Sequence, residues 1–453
     1  MSKVINMTSG SPSKLILTFA FPAIITNIGQ QLYLNVDTAI VGRGVGVSAL
    51  AAVGCTGWIY GLILWFIMAL TTAFSTFVSR YFGMNDKNAV NRCLALSSVL
   101  SLIIGVILTV LGIVTARPLL EIMNTPSDII KDAENYLYIM VSGTVILMGY
   151  NLTSAILRAF GDSRSPLVAM IISAILNIVL DLIFVMVFKW GVSGAAIASV
   201  ISQLVSFLYS FIVILKIDFV EIKKEHFNPD FALIKSMLFF SLPIGFQNAI
   251  LSVGGMVLQA TVNLEGSIFI AGYTATNRLY GMFECTAIAL GSAITTFMSQ
   301  NFGANKPERL RRGFKTSFVI VVVFSIVVAL FMLLSGKFLL SIFIDPEEAG
   351  ALTSLAIAYK YLFIMLLSLP ILYLIYLYRS TLQAIGNAFW SMLSGVAEFV
   401  VRVLFATIIY DTFSTECIYY VESSAWIGAL LVLIIPAHYY LKRIETLYSN
   451  SLN

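Results

Sequence analysis

Between Ser165 and Phe188 the chain reads SPLVAMIISAILNIVLDLIFVMVF. Wound as a helix at 1.5 Å per residue, that run is about 36 Å long, enough to cross the ~30 Å apolar core of a bilayer. No Lys, Arg, Glu or His interrupts it, and its two strongly polar interior members, Asn177 and Asp181, stand one helical turn apart on one face. The rest of the chain agrees. Of 453 residues, 59% are hydrophobic and 11% charged, with a mean hydropathy of +0.93, against roughly 25% charged in soluble domains. An all-α membrane protein is expected, and a disordered, collagenous, coiled-coil or disulfide-knitted secreted chain is excluded.

Similar runs lie near 14–43, 50–79, 93–116, 131–156, 165–188 and 191–215, then near 236–262, 267–298, 313–336, 354–383, 388–410 and 419–441. They make twelve transmembrane helices. With the N-terminus inside, the inner connections hold about eighteen Lys and Arg, counting Lys3, and the outer ones about six, an asymmetry that places both termini in the cytoplasm. No cleavable signal peptide is expected, since residues 1–13 are polar and the apolar run after them is too long for an h-region. The polar stretch 217–230 is expected to be a cytoplasmic linker between a first lobe, 1–216, and a second, 231–453.

The halves repeat. Phe19-Ala20-Phe21-Pro22 answers Phe240-Ser241-Leu242-Pro243, and Arg80-Tyr81-Phe82-Gly83 answers Gln300-Asn301-Phe302-Gly303, at offsets of 221 and 220. Tyr136-Leu137-Tyr138-Ile139-Met140 answers Tyr361-Leu362-Phe363-Ile364-Met365, and Leu157–Asp162 answers Leu382–Asn387, both at 225. Four matches in one order give two pseudo-symmetric six-helix bundles of like topology.

Ionisable residues inside spans mark function by default. Span one carries Asp37, with Tyr33 and Gln30 on the same face; span five carries Asn177 and Asp181; span six offers Ser199. Counted from the outer ends, Asp37, Asp181 and Ser199 all fall at roughly 10 Å of depth. Hard oxygen donors on three helices at one level suit a small cation such as Na⁺, held by Asp37, Asn177 and Asp181. Two carboxylates kept from water can equally hold a proton near neutral pH. The plainer alternative is a hydrogen-bonded lock between helices.

Mapped by the repeat, Asp37 falls on Leu258, Asn177 on Arg402 and Asp181 on Ala406, so coupling is expected in the first lobe. The second lobe has Arg278 and Glu284 in span eight and Glu398 and Arg402 in span eleven, the last two an i, i+4 pair in the favourable order. They read either as a structural ion pair or as substrate- and proton-handling groups. Gln30, Tyr33, Glu284 and Arg402 are the candidates for a substrate cavity. Pro22 and Pro243 each remove a backbone hydrogen bond within a span and are hinge candidates.

Other chemistries find no residues. The nearest approach to a phosphate-binding G-x-x-x-x-G-K-[ST], around Ser335-Gly336-Lys337-Phe338, lacks the first glycine and the final hydroxyl. His226 and His438 are the two histidines, and Cys55, Cys93, Cys285 and Cys417 form no C-x-x-C pair. Neither an enzyme nor a cofactor is expected. The net charge of +4 forms no basic stripe for nucleic acid.

The chain resembles a multidrug and toxic compound extrusion (MATE) transporter of the bacterial multidrug-efflux type. The resemblance rests on Val36-Asp37-Thr38, Ala49-Leu50-Ala51-Ala52-Val53-Gly54, the Arg158–Asp162 turn, Asn177 with Asp181, and Gln300-Asn301-Phe302-Gly303-Ala304-Asn305. It implies V-shaped lobes around a central cavity, and secondary active export of cationic or amphiphilic organic compounds in exchange for Na⁺ or H⁺. It also implies that the cation is held by Asp37, Asn177, Asp181 and Ser199, this last in place of the commoner Thr; a monomer in the bacterial cytoplasmic membrane is expected. Span seven lacks the acid some relatives carry. A flippase for a lipid-linked or amphiphilic precursor is the nearest competing function, and a passive channel the next.

Overall fold

The computed structural model describes residues 4–123, 125–344 and 350–452; Lys3, counted above for orientation, lies outside them. The described residues form helices and no strand. The first half holds α1 (Pro12–Gly44), α2 (Val47–Gly83), α3 (Lys87–Ile122), α4 (Ile130–Ser142), α5 (Thr144–Ala159), α6 (Arg164–Asp181) and α7 (Gly191–Leu215). The second holds α8 (Phe231–Val262), α9 (Ser267–Gly303), α10 (Pro307–Ser341), α11 (Ala351–Ala384), α12 (Ala388–Leu404), α13 (Tyr410–Phe413) and α14 (Val421–Leu452).

Among the described residues, ten helical stretches are long and apolar enough to cross a membrane, and α4 with α5, bent by 48° at Gly143, makes an eleventh. The last stretch, Ala388–Tyr448, runs 61 residues, about 90 Å if straight and far beyond one crossing. It divides where Ser414 takes a positive φ of 52° and a tight turn, Ser414–Tyr420, precedes α14. The described residues therefore make twelve crossings.

Several helices outrun the apolar segments expected for them, because polar end groups extend them past the bilayer. Asp86 caps α3 by accepting from Ala89 N at 2.9 Å. Neither Pro22 nor Pro243 interrupts its helix: α1 and α8 run through both, and Thr26 Oγ1 donates to Pro22 O at 2.8 Å.

The repeat is also written in the backbone. Asn85 and Asn305, at φ 59° and 53°, end α2 and α9 at equivalent places, and Gly161 and Gly386, at 81° and 95°, do so for α5 and α11. These left-handed positions let the last turn close and the chain reverse, which is where Asn and Gly are tolerated. The fifth span of each half ends in a π-helical turn, Leu182–Val187 and Phe405–Ile409.

The chain divides into two compact units, Met1–Asn6 with Phe21–Ser241 and Met7–Ala20 with Leu242–Asn453. These limits differ from the expected 216/217 and 230/231, and side chains explain why. Residues 7–20 go with the second unit because Met7 N donates to Gln300 Oε1 at 2.7 Å and Arg309 donates to the carbonyls of Met7 and Gly10 at 3.0 and 2.9 Å.

The stretch 217–230 goes with the first unit. Asn91 Nδ2 donates to Phe219 O at 3.1 Å and Glu221 N donates to Asn91 Oδ1 at 2.8 Å. Lys223 N donates to His226 Nδ1, which leaves Nε2 protonated to donate to Asn88 Oδ1 at 3.0 Å. Lys87 Nζ, 3.0 Å away, holds the exposed Glu221 carboxyl below its ordinary range. The supposed linker is a docked segment, as irregular backbone must be to satisfy its polar groups.

Lipid sets the outer surface. α3 exposes Leu102, Val106, Val110 and Val114, and α10 exposes Val319, Val327, Leu334 and Phe338. Between helices, small residues and hydroxyls allow close approach: Ser206 Oγ of α7 donates to Ala169 O of α6 at 2.7 Å, and Thr276 Oγ1 of α9 to Ala358 O of α11 at 2.9 Å. A Cβ on Gly272 would lie 2.5 Å from Ser354 O, a backbone atom, whereas one on Gly281 would meet nothing within 4 Å. Gly272→Ala is therefore expected to destabilise the solubilised protein by about 1–3 kcal/mol. Gly281→Ala should leave the thermal midpoint unchanged or slightly raised. Equal midpoints would show that the α9–α11 seam can relax.

Candidate functional site

The acids of the first unit face one another. α1 presents Asp37 and α6 ends on Asp181, 8% and 0% exposed, and their carboxyl groups lie within side-chain hydrogen-bonding reach. Asn177, one turn before Asp181 and fully buried, donates from Nδ2 to Ser199 Oγ of α7 at 3.3 Å. Ser199 also hydrogen-bonds Tyr33, which stands one turn before Asp37. Thus the five residues Tyr33, Asp37, Asn177, Asp181 and Ser199 form one polar cluster on three helices. The π-helical turn that begins at Leu182 follows Asp181 directly, a device frequent at functional sites because it re-aims the preceding side chain.

Three further residues close the cluster, none of them singled out in the sequence. Tyr60 of α2 hydrogen-bonds Gln203 of α7, and Tyr136 of α4 lies close enough to feel the charges of Asp37 and Asp181. Gln203 stands four residues after Ser199 on the same face, so the i, i+4 rule could have found it. The tyrosines carry no such signal; only the packing of α2 and α4 against α7 brings them in.

The remaining candidates lie elsewhere. Gln30, on the same face of α1, is turned to Tyr150 of α5, whose hydroxyl accepts from Nε2 at 3.2 Å. Glu284 and Arg402 belong to the second unit, where Glu284 Oε1 accepts from Tyr376 OH at 3.0 Å. Arg402 is held by Glu398 at 3.2 Å and Glu422 at 2.8 Å, and Glu398 is also paired with Arg379 at 2.5 Å. The i, i+4 pair is therefore half of a four-residue, charge-balanced network over α11, α12 and α14. Leu258 and Ala406 fill the places equivalent to Asp37 and Asp181, and Thr261 Oγ1 bonds Ala406 O at 3.0 Å. Pro22 and Pro243 each stand two residues beyond the points, after Ala20 and after Ser241, where α1 and α8 pass from one compact unit to the other.

Two carboxylates at hydrogen-bonding distance repel unless a cation or a proton lies between them. Asp37 Oδ1 is buried and accepts no hydrogen bond from the described residues, which leaves an acceptor for such a cation. No group of three or more His, Cys, Asp or Glu able to hold a metal ion occurs among the described residues. Two acids, one amide and hydroxyls make an all-oxygen acceptor set of the kind that holds a hard cation or a proton.

Comparison with known proteins adds an independent line. A family model described as MatE matches the chain twice, over residues 22–183 and 243–408, one match in each repeat. The chain is similar to "Probable multidrug resistance protein YoeA" of Bacillus subtilis (strain 168), 24% identical over 435 residues covering 93% of this chain and 92% of that protein. It is 27% identical to "Probable multidrug resistance protein YpnP" of the same organism over 353 residues, 77% and 78% of the two chains. Among solved structures, "Crystal structure of MATE in complex with MaL6" superposes with a TM-score of 0.90 at 23% identity, over 98% of this chain and 100% of that one. "Outward-facing conformation of a multidrug resistance MATE family transporter of the MOP superfamily" gives 0.89 at 23%, over 98% and 99%. At these identities the structures speak for the fold alone.

Proposed function

Because the chain belongs to the MatE family, whose members are transporters and not enzymes, we propose that it is a secondary antiporter that exports cationic or amphiphilic organic compounds in exchange for Na⁺ or H⁺. The Asp37–Asp181 pair carries this reading. Two acids withdrawn from water across two helices are costly, and a coupling cation accounts for both. The ion binds where the carboxyl groups converge, Asn177 and Ser199 orient the pair, and Tyr33 with Tyr136 seals it from bulk water. Loading and unloading that cation biases which side of the membrane the transporter opens to. Pro22 and Pro243 are the hinges in α1 and α8.

The multidrug-resistance names of the relatives support small organic substrates, and the Lys and Arg asymmetry supports a chain in the bacterial cytoplasmic membrane with both termini inside. It works as a monomer, since the pair lies within one unit.

The test is transport by the purified full chain in proteoliposomes. A fluorescent organic cation is expected to move only while a Na⁺ or proton gradient is imposed, and to stop when an ionophore collapses it. Movement indifferent to the collapse would make the protein a passive channel. Binding of ²²Na⁺ separates the two ions: Na⁺ coupling gives binding that Asp181→Asn removes, whereas H⁺ coupling gives none.

A further inference from the structure

Arg278 stands eleven residues inside α9 from Ser267, about 17 Å along the helix from its N-terminal end. Its side chain is exposed and makes no hydrogen bond or ion pair with any described residue. The other two arginines within spans of this unit, Arg379 and Arg402, are buried and paired with carboxylates. An exposed guanidinium on a span, with no carboxylate to pair with, meets water or a polar headgroup and not lipid tails.

The surroundings agree. From Phe269 to Gly303, α9 exposes no large apolar side chain, whereas α10 of the same unit presents Val319, Val327, Leu334 and Phe338, the surface expected against lipid tails. The open stripe of α9 that contains Arg278 is made of Ala271 and Thr274. One turn further on, the position of a Cβ on Gly281 is empty to 4 Å. There is room beside the guanidinium and no lipid-like surface around it.

We infer that Arg278 binds an anionic group, a carboxylate or phosphate, of the transported compound, so that the preferred substrates are zwitterionic or acidic amphiphiles and not simple cations. The planar guanidinium suits the two oxygens of such a group. In transport this inference rests on the antiport reading above; in binding it stands apart from it.

The test uses two dyes that differ at one group, rhodamine 110, a free carboxylic acid, and rhodamine 123, its methyl ester. Binding to the solubilised full chain is read by fluorescence polarisation, which needs no ion gradient. The acid is expected to bind more tightly than the ester. Arg278→Gln should weaken the acid roughly ten- to a hundred-fold and the ester by less than about two-fold, with Arg278→Lys in between. Unchanged ester binding shows that the variant is folded.

Loss of acid and ester alike, or of neither, overturns the assignment. The same assay in nanodiscs of phosphatidylcholine, with and without phosphatidylglycerol, separates substrate from lipid. An Arg278→Gln effect that appears only with the anionic lipid and is equal for both dyes gives the residue to a headgroup and overturns the proposal. Gradient-driven uptake of the ester in proteoliposomes reads the antiport mechanism separately, so a protein that binds the acid selectively but moves neither dye would sink that mechanism and leave the Arg278 site standing.

Discussion

Cells expressing Asp37→Asn are expected to lose drug export by at least about a hundred-fold, at unchanged protein level in the membrane. The substitution keeps shape and volume and removes one charge. Asp37 and Asp181 lie within hydrogen-bonding reach, and an amide at position 37 can still donate to the remaining carboxylate. A lock that merely ties α1 to α6 would thus survive the change, and by the ordinary strength of a hydrogen bond to a charged group, about 1.5–3 kcal/mol, would hold about as well as before. Charge capture would not survive, because one carboxylate cannot exchange what the pair exchanges.

The same variant therefore separates the two readings left open by the residues themselves. The measurement is dye efflux together with a blot for the protein in the membrane fraction. Full efflux at a normal level would remove the pair from the coupling mechanism and return the lock, and lost efflux with lost protein would mean that the fold needs both charges. Asp181→Asn should behave alike, and the double variant should be no worse than either single one, since the two acids act as one unit.

What could be read from the sequence follows from how far each signal reaches along the chain. Asn177 with Asp181, Tyr33 with Asp37, and Glu398 with Arg402 are neighbours by helical geometry alone, and no tertiary knowledge is needed to place each pair on one face. The common depth of Asp37, Asp181 and Ser199 could be counted from span ends, and Asn177 stands 3.3 Å from Ser199. Partners on other helices carry no such mark. Tyr60, Tyr136, Arg379 and Glu422 join their clusters because particular helices pack together, which hydropathy does not encode.

The bend at Gly143 escaped for a related reason. No charged residue marks a break between Tyr136 and Ile156, but a Cβ on Gly143 would lie 2.7 Å from Val200 Cγ2, so the glycine answers to the packing of a neighbour far along the chain. The docked stretch 217–230 escaped because its polarity, read as exposure, is spent on Asn88 and Asn91.

Arg402→Ala is expected to destabilise the protein by about 3–5 kcal/mol, enough to depress its yield and thermal midpoint sharply. Breaking a buried pair leaves the surviving charge without compensation. Here the survivors are two: Glu422, whose ion pair is with Arg402 at 2.8 Å, and Glu398, which keeps Arg379. Glu422 has a side chain only 12% exposed and bears most of the loss. Neutralising it should therefore recover stability, and Arg402→Ala with Glu422→Gln is expected to melt above Arg402→Ala alone, with a coupling of about 0.5–3 kcal/mol between the sites.

Transport by that restored double variant then decides what the network is for. If Arg402 is structural, a stable double variant exports normally. If it handles substrate or protons, the double variant is stable and inactive. A double variant no more stable than Arg402→Ala would mean that Arg402 acts through packing of its aliphatic stem beside Gly254 of α8, and that the ion pairs add little.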